Sequence, residues 1–171
     1  MELDMKKVTE PLEITMQVPG LYVSIPCGLK DYINTEGKES FCVMENELIV
    51  PHIIQVKGMN EKKSLKDSSY QRTVLQTYSN NEIKYIQQTL GIELINPSNQ
   101  WVKSKGRDWY IWYFKIASPS KSPGNETMIQ LYASTIIGDK IFLINAPVKG
   151  DGDFSKVAYL VNDMMETMIV K

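Results

Sequence analysis

Apolar and aromatic residues are concentrated between Arg107 and Val148, where they occur on both faces of the predicted strands. Three runs in this region are rich in aromatic and β-branched residues, as β-strands are, and polar loops separate them. The runs cover residues 107–116, 128–137 and 140–146. The pattern therefore predicts three consecutive antiparallel strands, around which the rest of the chain is organised.

Gly138 and Asp139 join the second and third of these strands. Glycine accepts the positive φ that a two-residue hairpin turn requires. A two-residue turn fixes the register, with Ile137 opposite Lys140 and Ile136 opposite Ile141. One face of this hairpin then carries Leu131, Ala133, Thr135, Phe142, Ile144 and Ala146, and the other carries Met128, Tyr132, Ile136, Ile141 and Leu143.

The first of the three strands has large apolar side chains on both faces. One row comprises Tyr110, Trp112 and Phe114, and the other comprises Trp109, Ile111 and Tyr113. One row is enough to dominate a core, since each aromatic side chain buries about 150–250 Å². The second row is either covered by a loop and long side chains or forms an exposed contact surface. We take Trp109, Ile111 and Tyr113 as the candidate face for a protein partner or a second copy of the chain.

A helix is predicted at the end of the chain, from Phe154 towards Ile169, with Asp153 as its N-cap. Its apolar stripe comprises Phe154, Val157, Val161, Met164 and Met168. This stripe is expected to pack on the sheet face of Phe142 and Ile144, which has the more continuous apolar set.

A central helical segment is predicted between Asp67 and Leu90. Ser64 or Asp67 caps its first part, and Ser79 or Asn80 caps a second part that ends at Gly91. The segment lies either on the same side of the sheet as the terminal helix, which would leave the Trp109 row open, or on the opposite side. The preceding residues 58–66 are polar and basic, which is typical of a solvated loop.

Short strands are predicted before the central segment, at residues 14–25, 40–44 and 48–56. The first stretch is either two strands or one strand with a kink at Pro19-Gly20. Pro51 lacks an N–H, so the last stretch is expected to be an edge or bulged strand. Residues 96–99 and 118–124 are expected to be loops. The predicted fold is α+β, with an antiparallel sheet of about six strands and both helical segments packed on it. Residues 1–11 form a flexible tail and residues 12–171 a single domain.

The chain has 171 residues and a net charge of -1, which suits one domain without the basic face that binding to nucleic acid needs. It contains no run of about 20 apolar residues, so no membrane span is expected. Residues 1–13 lack the apolar core of an export signal. A complete chain would be cytoplasmic. A chain from which a leader had been removed would be periplasmic or a membrane-anchored lipoprotein.

Reactive side chains are few. Cys27 and Cys42 are the two cysteines, and they form either a disulfide or two buried thiols. His52 is the single histidine, and no partner for catalysis or for a metal ion is spaced to join it. There is no glycine-rich phosphate loop and no nucleophile paired with a base. The sequence thus predicts neither an enzyme nor a protein that holds a metal or cofactor.

Several features resemble the PsbP-like fold. They are the opening strand from Gly20 to Pro26, Trp101 ahead of the long strands, the hairpin at residues 138–143 and the closing helix at 154–169. This fold is shared by an oxygen-evolving accessory protein of photosystem II, a Ran-binding nuclear transport regulator and DcrB-like bacterial lipoproteins. The resemblance implies a non-enzymatic accessory, adaptor or chaperone-like role exerted through the surface. It carries over no individual site residue.

Two functions follow as predictions. The first is an accessory, adaptor or chaperone-like protein that binds another protein through its surface. The alternative is a binder of a small apolar ligand or lipid, which would need a cavity between the sheet and a helix.

Overall fold

The computed structural model describes residues 5–7, 12–18, 21–27, 32–34, 42–44, 47–116, 127–149 and 153–170. The strands are β1 Met5–Lys7, β2 Leu12–Val18, β3 Leu21–Cys27, β4 Tyr32–Asn34, β5 Cys42–Met44, β6 Glu47–Gln55, β7 Leu94–Ser104, β8 Arg107–Ile116, β9 Thr127–Ile137, β10 Lys140–Lys149 and β11 Ile169–Val170. The helices are α1 Glu61–Lys66, α2 Ser68–Lys84, which continues into a π-helical turn at Tyr85–Thr89, and α3 Phe154–Thr167.

All described strand pairs are antiparallel, and they form two sheets. The larger has the order β1-β4-β5-β6-β10-β9-β8-β7, and the smaller has the order β11-β3-β2. The five long strands are β6, β10, β9, β8 and β7, which lie side by side and end at β7, the edge of the larger sheet. The predicted α+β class, with helices packed on an antiparallel sheet, is confirmed.

The β9–β10 hairpin has the predicted register. Ile137 pairs with Lys140, and Ile136 pairs with Ile141. Gly138 in the turn has φ +63°, a conformation that costs glycine little because it has no Cβ. The local turn chemistry therefore determines which side chains of this hairpin share a face.

Strand β8 aligns with β9 so that Ile111 lies opposite Ala133. This register places the row of Trp109 on the same side of the sheet as Phe142. The rings of Trp109 and Phe142 meet edge to face, with centroids 6.2 Å apart. Helix α3 packs on the same face, as its stripe predicts. It contributes Val157, Leu160, Val161, Met164 and Met165 to the buried cluster.

Helix α2 covers the opposite face. Leu75 and Ile86 pack there against a second buried cluster that contains Tyr110, Trp112, Phe114, Ile136, Ile141 and Leu143. Of the two arrangements expected for the central segment, the structure therefore has the one in which the helices lie on opposite sides. As a result, each aromatic row of β8 has a helical layer over its own face.

Asp153 caps α3 as predicted, since its carboxylate accepts hydrogen bonds from the N–H groups of Ser155 and Lys156 at 2.9 and 3.3 Å. Asp67 likewise caps α2 by accepting from the N–H of Tyr70 at 3.1 Å. No helix in the described part of the chain is both long and apolar enough to cross a membrane.

Two expectations for the central segment are wrong. The predicted solvated loop contains helix α1, whose N-cap Asn60 accepts a hydrogen bond from the N–H of Lys63. The predicted break at Ser79 is absent, because α2 continues through this residue and buries it against the sheet. Gly91, with φ +67°, follows the end of the helical segment as expected.

The expected loop at residues 96–99 is instead an irregularity within β7. The pairing with β8 is interrupted between Ile95 and Ser98, where Asn96 has φ +49°. Pro51 lies in β6 beyond the described pairing with β5, which covers Glu47–Ile49, so among the described strands β10 alone pairs with it. This local edge agrees with the prediction from proline, which has no N–H to donate.

The N-terminal run forms two paired strands, β2 and β3, and β11 adds to β3. Residues 5–7 of the predicted tail form β1, which pairs with β4. The division into a tail and one domain remains a prediction. The side chains of Cys27 and Cys42 and the expected loop at 118–124 lie outside what the structure describes.

Candidate functional site

An apolar groove lies between α3 and the β7–β8 hairpin. Helix α3 packs over β9 and β10, so the neighbouring part of the sheet is only partly covered on this side. The deeper part of the groove has a volume of about 220 Å³ and is lined by Gln100, Val102, Ile111, Tyr113, Leu131, Phe154, Ala158, Val161, Asn162 and Met165. We call this feature the α3–β7 groove.

A shallower compartment of about 360 Å³ continues the groove along the sheet. It is lined by Asn96, Ser98, Tyr113, Lys115, Ile129 and Phe154. Tyr113 and Phe154 line both compartments, and their rings are in contact with centroids 5.0 Å apart. The groove therefore has two adjoining compartments that share one aromatic pair.

The floor and walls of the groove are apolar, and its rim is polar. Gln100, Lys115 and Asn162 are exposed at the rim. The amide of Asn162 donates to Glu166 Oε1 at 3.4 Å along the exposed side of α3. An apolar centre with a polar rim is the usual anatomy of a protein-binding surface.

The face under α2 has a different character, because it buries phenol groups. The rings of Trp112 and Tyr132 stack with centroids 4.9 Å apart, and Tyr78 meets Trp112 edge to face. Burial raises the pKa of Tyr132 to about 12, and the charge of Glu82 adds to the effect. Burial and the same carboxylate also raise the pKa of Tyr78 well above its ordinary value.

The raised pKa of Tyr132 predicts a loss of stability in alkali. Its phenol ionises near pH 10 in the unfolded chain and near pH 12 in the folded one, so the folded form binds more protons between these values. The protonated phenol therefore contributes fully to the free energy of unfolding below about pH 10, and this contribution is lost as the pH rises towards 12. Urea unfolding between pH 10 and pH 12 should show that the free energy of unfolding falls more steeply with pH for the parent than for Tyr132→Phe.

The matched control is Tyr159→Phe, because Tyr159 is exposed on α3. This variant should follow the parent profile. If the Tyr132→Phe profile coincided with that of the parent, ionisation of Tyr132 would not contribute to the alkaline loss.

Among the described side chains, no three His, Cys, Asp or Glu residues are grouped so that they could hold a metal ion. His52 lies in β6 opposite Leu143 and is half-buried. Arg72 pairs with Asp108 at 3.1 Å, and its guanidinium lies 4.7 Å from the ring centre of Trp101. This ion pair fixes α2 to the β7–β8 hairpin.

No protein-family model matches the chain, and no curated protein matches it in sequence. The solution structure of cyanobacterial PsbP (CyanoP) from Synechocystis sp. PCC 6803 is similar to it, with a TM-score of 0.59 and 11% sequence identity. The similarity covers 96% of this chain and 94% of that protein. The chain has a PsbP-like fold. At this level of identity the likeness concerns the fold alone.

The PsbP-like fold places the three predicted contact residues in different environments. Trp109 is 0% exposed and packs under α3, so of the two arrangements left open for its row, this residue has the covered one. Its indole N–H meets no acceptor among the described residues. Ile111 and Tyr113 are half-buried and line the α3–β7 groove. Their role in binding remains a prediction.

The remaining walls of the groove were not predicted as site residues. Phe154 and Val161 belong to the stripe of α3, which is typical of core packing, and both also line the groove, Phe154 half-buried and Val161 buried. Gln100 and Val102 come from β7, which carried no distinctive pattern. The groove forms between elements that are distant in sequence, so no local signal marks it.

Proposed function

We propose that this protein is a non-enzymatic accessory or adaptor protein that binds a protein partner in the α3–β7 groove. The observation that supports this proposal is an apolar groove whose walls come from a helix and from a sheet. Side chains on such elements are held in place, so little ordering would be needed on binding. The accessory roles implied by the PsbP-like resemblance agree with the proposal.

The neighbouring edge of the sheet favours a protein as the occupant. Strand β7 is the last strand of the larger sheet, and no described strand pairs with its outer side. Residues 98–104 pair regularly with β8 and so present a straight edge. An extended segment of a partner could add to such an edge by backbone hydrogen bonds while its side chains reach the groove.

A small apolar ligand or lipid is the second candidate occupant, because the groove lies between sheet and helix as that function requires. Pockets for small molecules usually have about 300–1,000 Å³ and enclose most of the ligand. The two compartments, at about 220 and 360 Å³, reach this range, but both open to the surface along the sheet. An open groove encloses little of a small ligand, so it suits side chains of a partner better than a whole ligand.

Site-specific photo-crosslinking would test the proposal. A benzophenone side chain placed at position 162 would lie at the rim of the groove, since Asn162 is exposed there. The matched control is position 167, because Thr167 is also exposed on α3 but does not line the groove. Irradiation in the source cells should give a discrete protein adduct from position 162 and none from position 167.

The mass of the adduct distinguishes the candidates. An adduct of twice the mass of the chain would identify a second copy as the partner. A mass increase in the range of a lipid would favour the apolar ligand and contradict the proposal. Equal adducts from the two positions, or none from position 162, would also contradict it.

A further inference from the structure

Helix α1 presents an apolar side chain within a group of lysines. Leu65 is 62% exposed, and Lys62, Lys63 and Lys66 around it are exposed as well. With about 3.6 residues per turn, Lys62, Leu65 and Lys66 lie on the side of the helix away from Ser64, which is buried. Helix α1 therefore has one buried side and one outward side that is both basic and apolar.

This arrangement is held in place by α2. The N–H of Asn60 donates to Tyr70 Oη at 2.8 Å, and the amide of Gln71 donates to the carbonyl of Ser64. The ammonium group of Lys63 lies 5.9 Å from the ring centre of Tyr70. An isolated helix of six residues would be unstable in water. These contacts fix it and keep Leu65 directed into solvent.

The local charge differs from that of the whole chain. The chain has a net charge of -1, yet residues 57–66 contain four lysines, at positions 57, 62, 63 and 66, against one acidic residue, Glu61. The carboxylate of Asp67 is occupied in capping α2. The outward surface of α1 is thus complementary to a surface that is negative and can accept one apolar side chain.

We propose that the outward surface of α1 binds an anionic lipid membrane, with Leu65 entering the interface and the lysines contacting the headgroups. A lipid surface needs no matching shape, and each nearby basic residue adds to the attraction. A stable protein interface buries about 800 Å² on each partner. A helix of six residues is about 9 Å long and offers much less than this area, so the observations favour a membrane over an acidic protein.

The proposal is independent of the α3–β7 groove. Helices α1 and α2 are in contact, and α2 covers the sheet face opposite α3. Binding to a membrane through α1 would therefore leave the groove open to its own partner.

Vesicle sedimentation would test the proposal with the full chain. Binding is expected to vesicles of phosphatidylcholine with about one third phosphatidylserine, and not to phosphatidylcholine alone. The double variant Lys62→Glu, Lys66→Glu should weaken binding by at least about 25-fold, because each lysine near an anionic surface contributes about fivefold. Raising the salt concentration should weaken the binding of the parent.

The matched control is Lys84→Glu, Lys103→Glu, which changes the net charge equally. Both lysines are exposed, and Lys84 lies at the far end of α2, about 24 Å from its start. This variant should retain most of the binding. The Leu65→Trp variant should show a blue shift of emission, relative to the parent, with anionic vesicles only.

Three outcomes would overturn the proposal. The first is equal binding to neutral vesicles, and the second is an equal loss in the two charge-reversal variants. The third is an absence of vesicle binding together with binding to poly-glutamate that Lys62→Glu, Lys66→Glu abolishes. That last result would assign the surface of α1 to an acidic protein.

Discussion

Replacing Phe142 with alanine is expected to lower the free energy of unfolding by about 3–5 kcal/mol. Phe142 is 0% exposed and packs edge to face on Trp109 beneath α3. Its removal leaves a cavity at the contact between the sheet and the C-terminal helix, and neither of these elements can close the gap fully. Urea unfolding followed by circular dichroism would measure the loss.

The control for this substitution is Tyr159→Ala. Tyr159 lies on α3, but it is 69% exposed, so its loss should change the free energy of unfolding by no more than about 0.5 kcal/mol. A loss below about 1 kcal/mol for Phe142→Ala would be incompatible with a position in the core.

Replacing Trp112 with alanine is expected to cost a similar amount, about 3–5 kcal/mol, although this residue lies on the opposite face. Trp112 is 2% exposed, stacks on Tyr132 and meets Tyr78 edge to face. Its loss would remove aromatic contacts to both the sheet and α2. The same unfolding measurement applies.

The milder variants Phe142→Leu and Trp112→Phe would show whether the two faces are independent. Phe142 and Trp112 belong to separate buried clusters. Their effects should therefore add to within about 0.5 kcal/mol in the double variant. A larger coupling would mean that the sheet transmits packing changes from one face to the other.

The sequence predicts the β9–β10 hairpin and helix α3 well, because both depend on local signals. Gly138 supplies the turn, and the turn sets the register of every pair that follows. Asp153 supplies the N-cap of α3, and the apolar stripe behind it predicts which side is buried. These elements need no information from distant residues.

The alignment of β8 could not be predicted in the same way. A long connection, rather than a two-residue turn, joins β8 to β9, so a shift by one residue would exchange the two faces of β8. The pairing of Ile111 with Ala133 decides this question and places Trp109 under α3. The sequence leaves both arrangements of this row open, because alternation along one strand does not show which of its faces continues the face of the next strand.

Tertiary contacts also override local preferences in the central segment. Serine favours a helix cap, yet Ser79 lies within α2, where its side chain is buried against the sheet next to Tyr110. Helix α1 has no apolar stripe and is fixed by contacts with Tyr70 and Gln71. For the groove, Ile111 and Tyr113 could be named from the sequence. The α3 and β7 walls beside them required the fold.

The small sheet brings the two ends of the described chain together. Among the described residues, β11 pairs with β3 through Ile169 and Val170, and β5 pairs with β6 through three residues. No described strand pair joins the small sheet to the long-stranded sheet. In native-state hydrogen exchange, β2, β3 and β11 should open together, with a free energy of opening well below that of global unfolding. The amides of β8, β9 and β10 should exchange only on global unfolding.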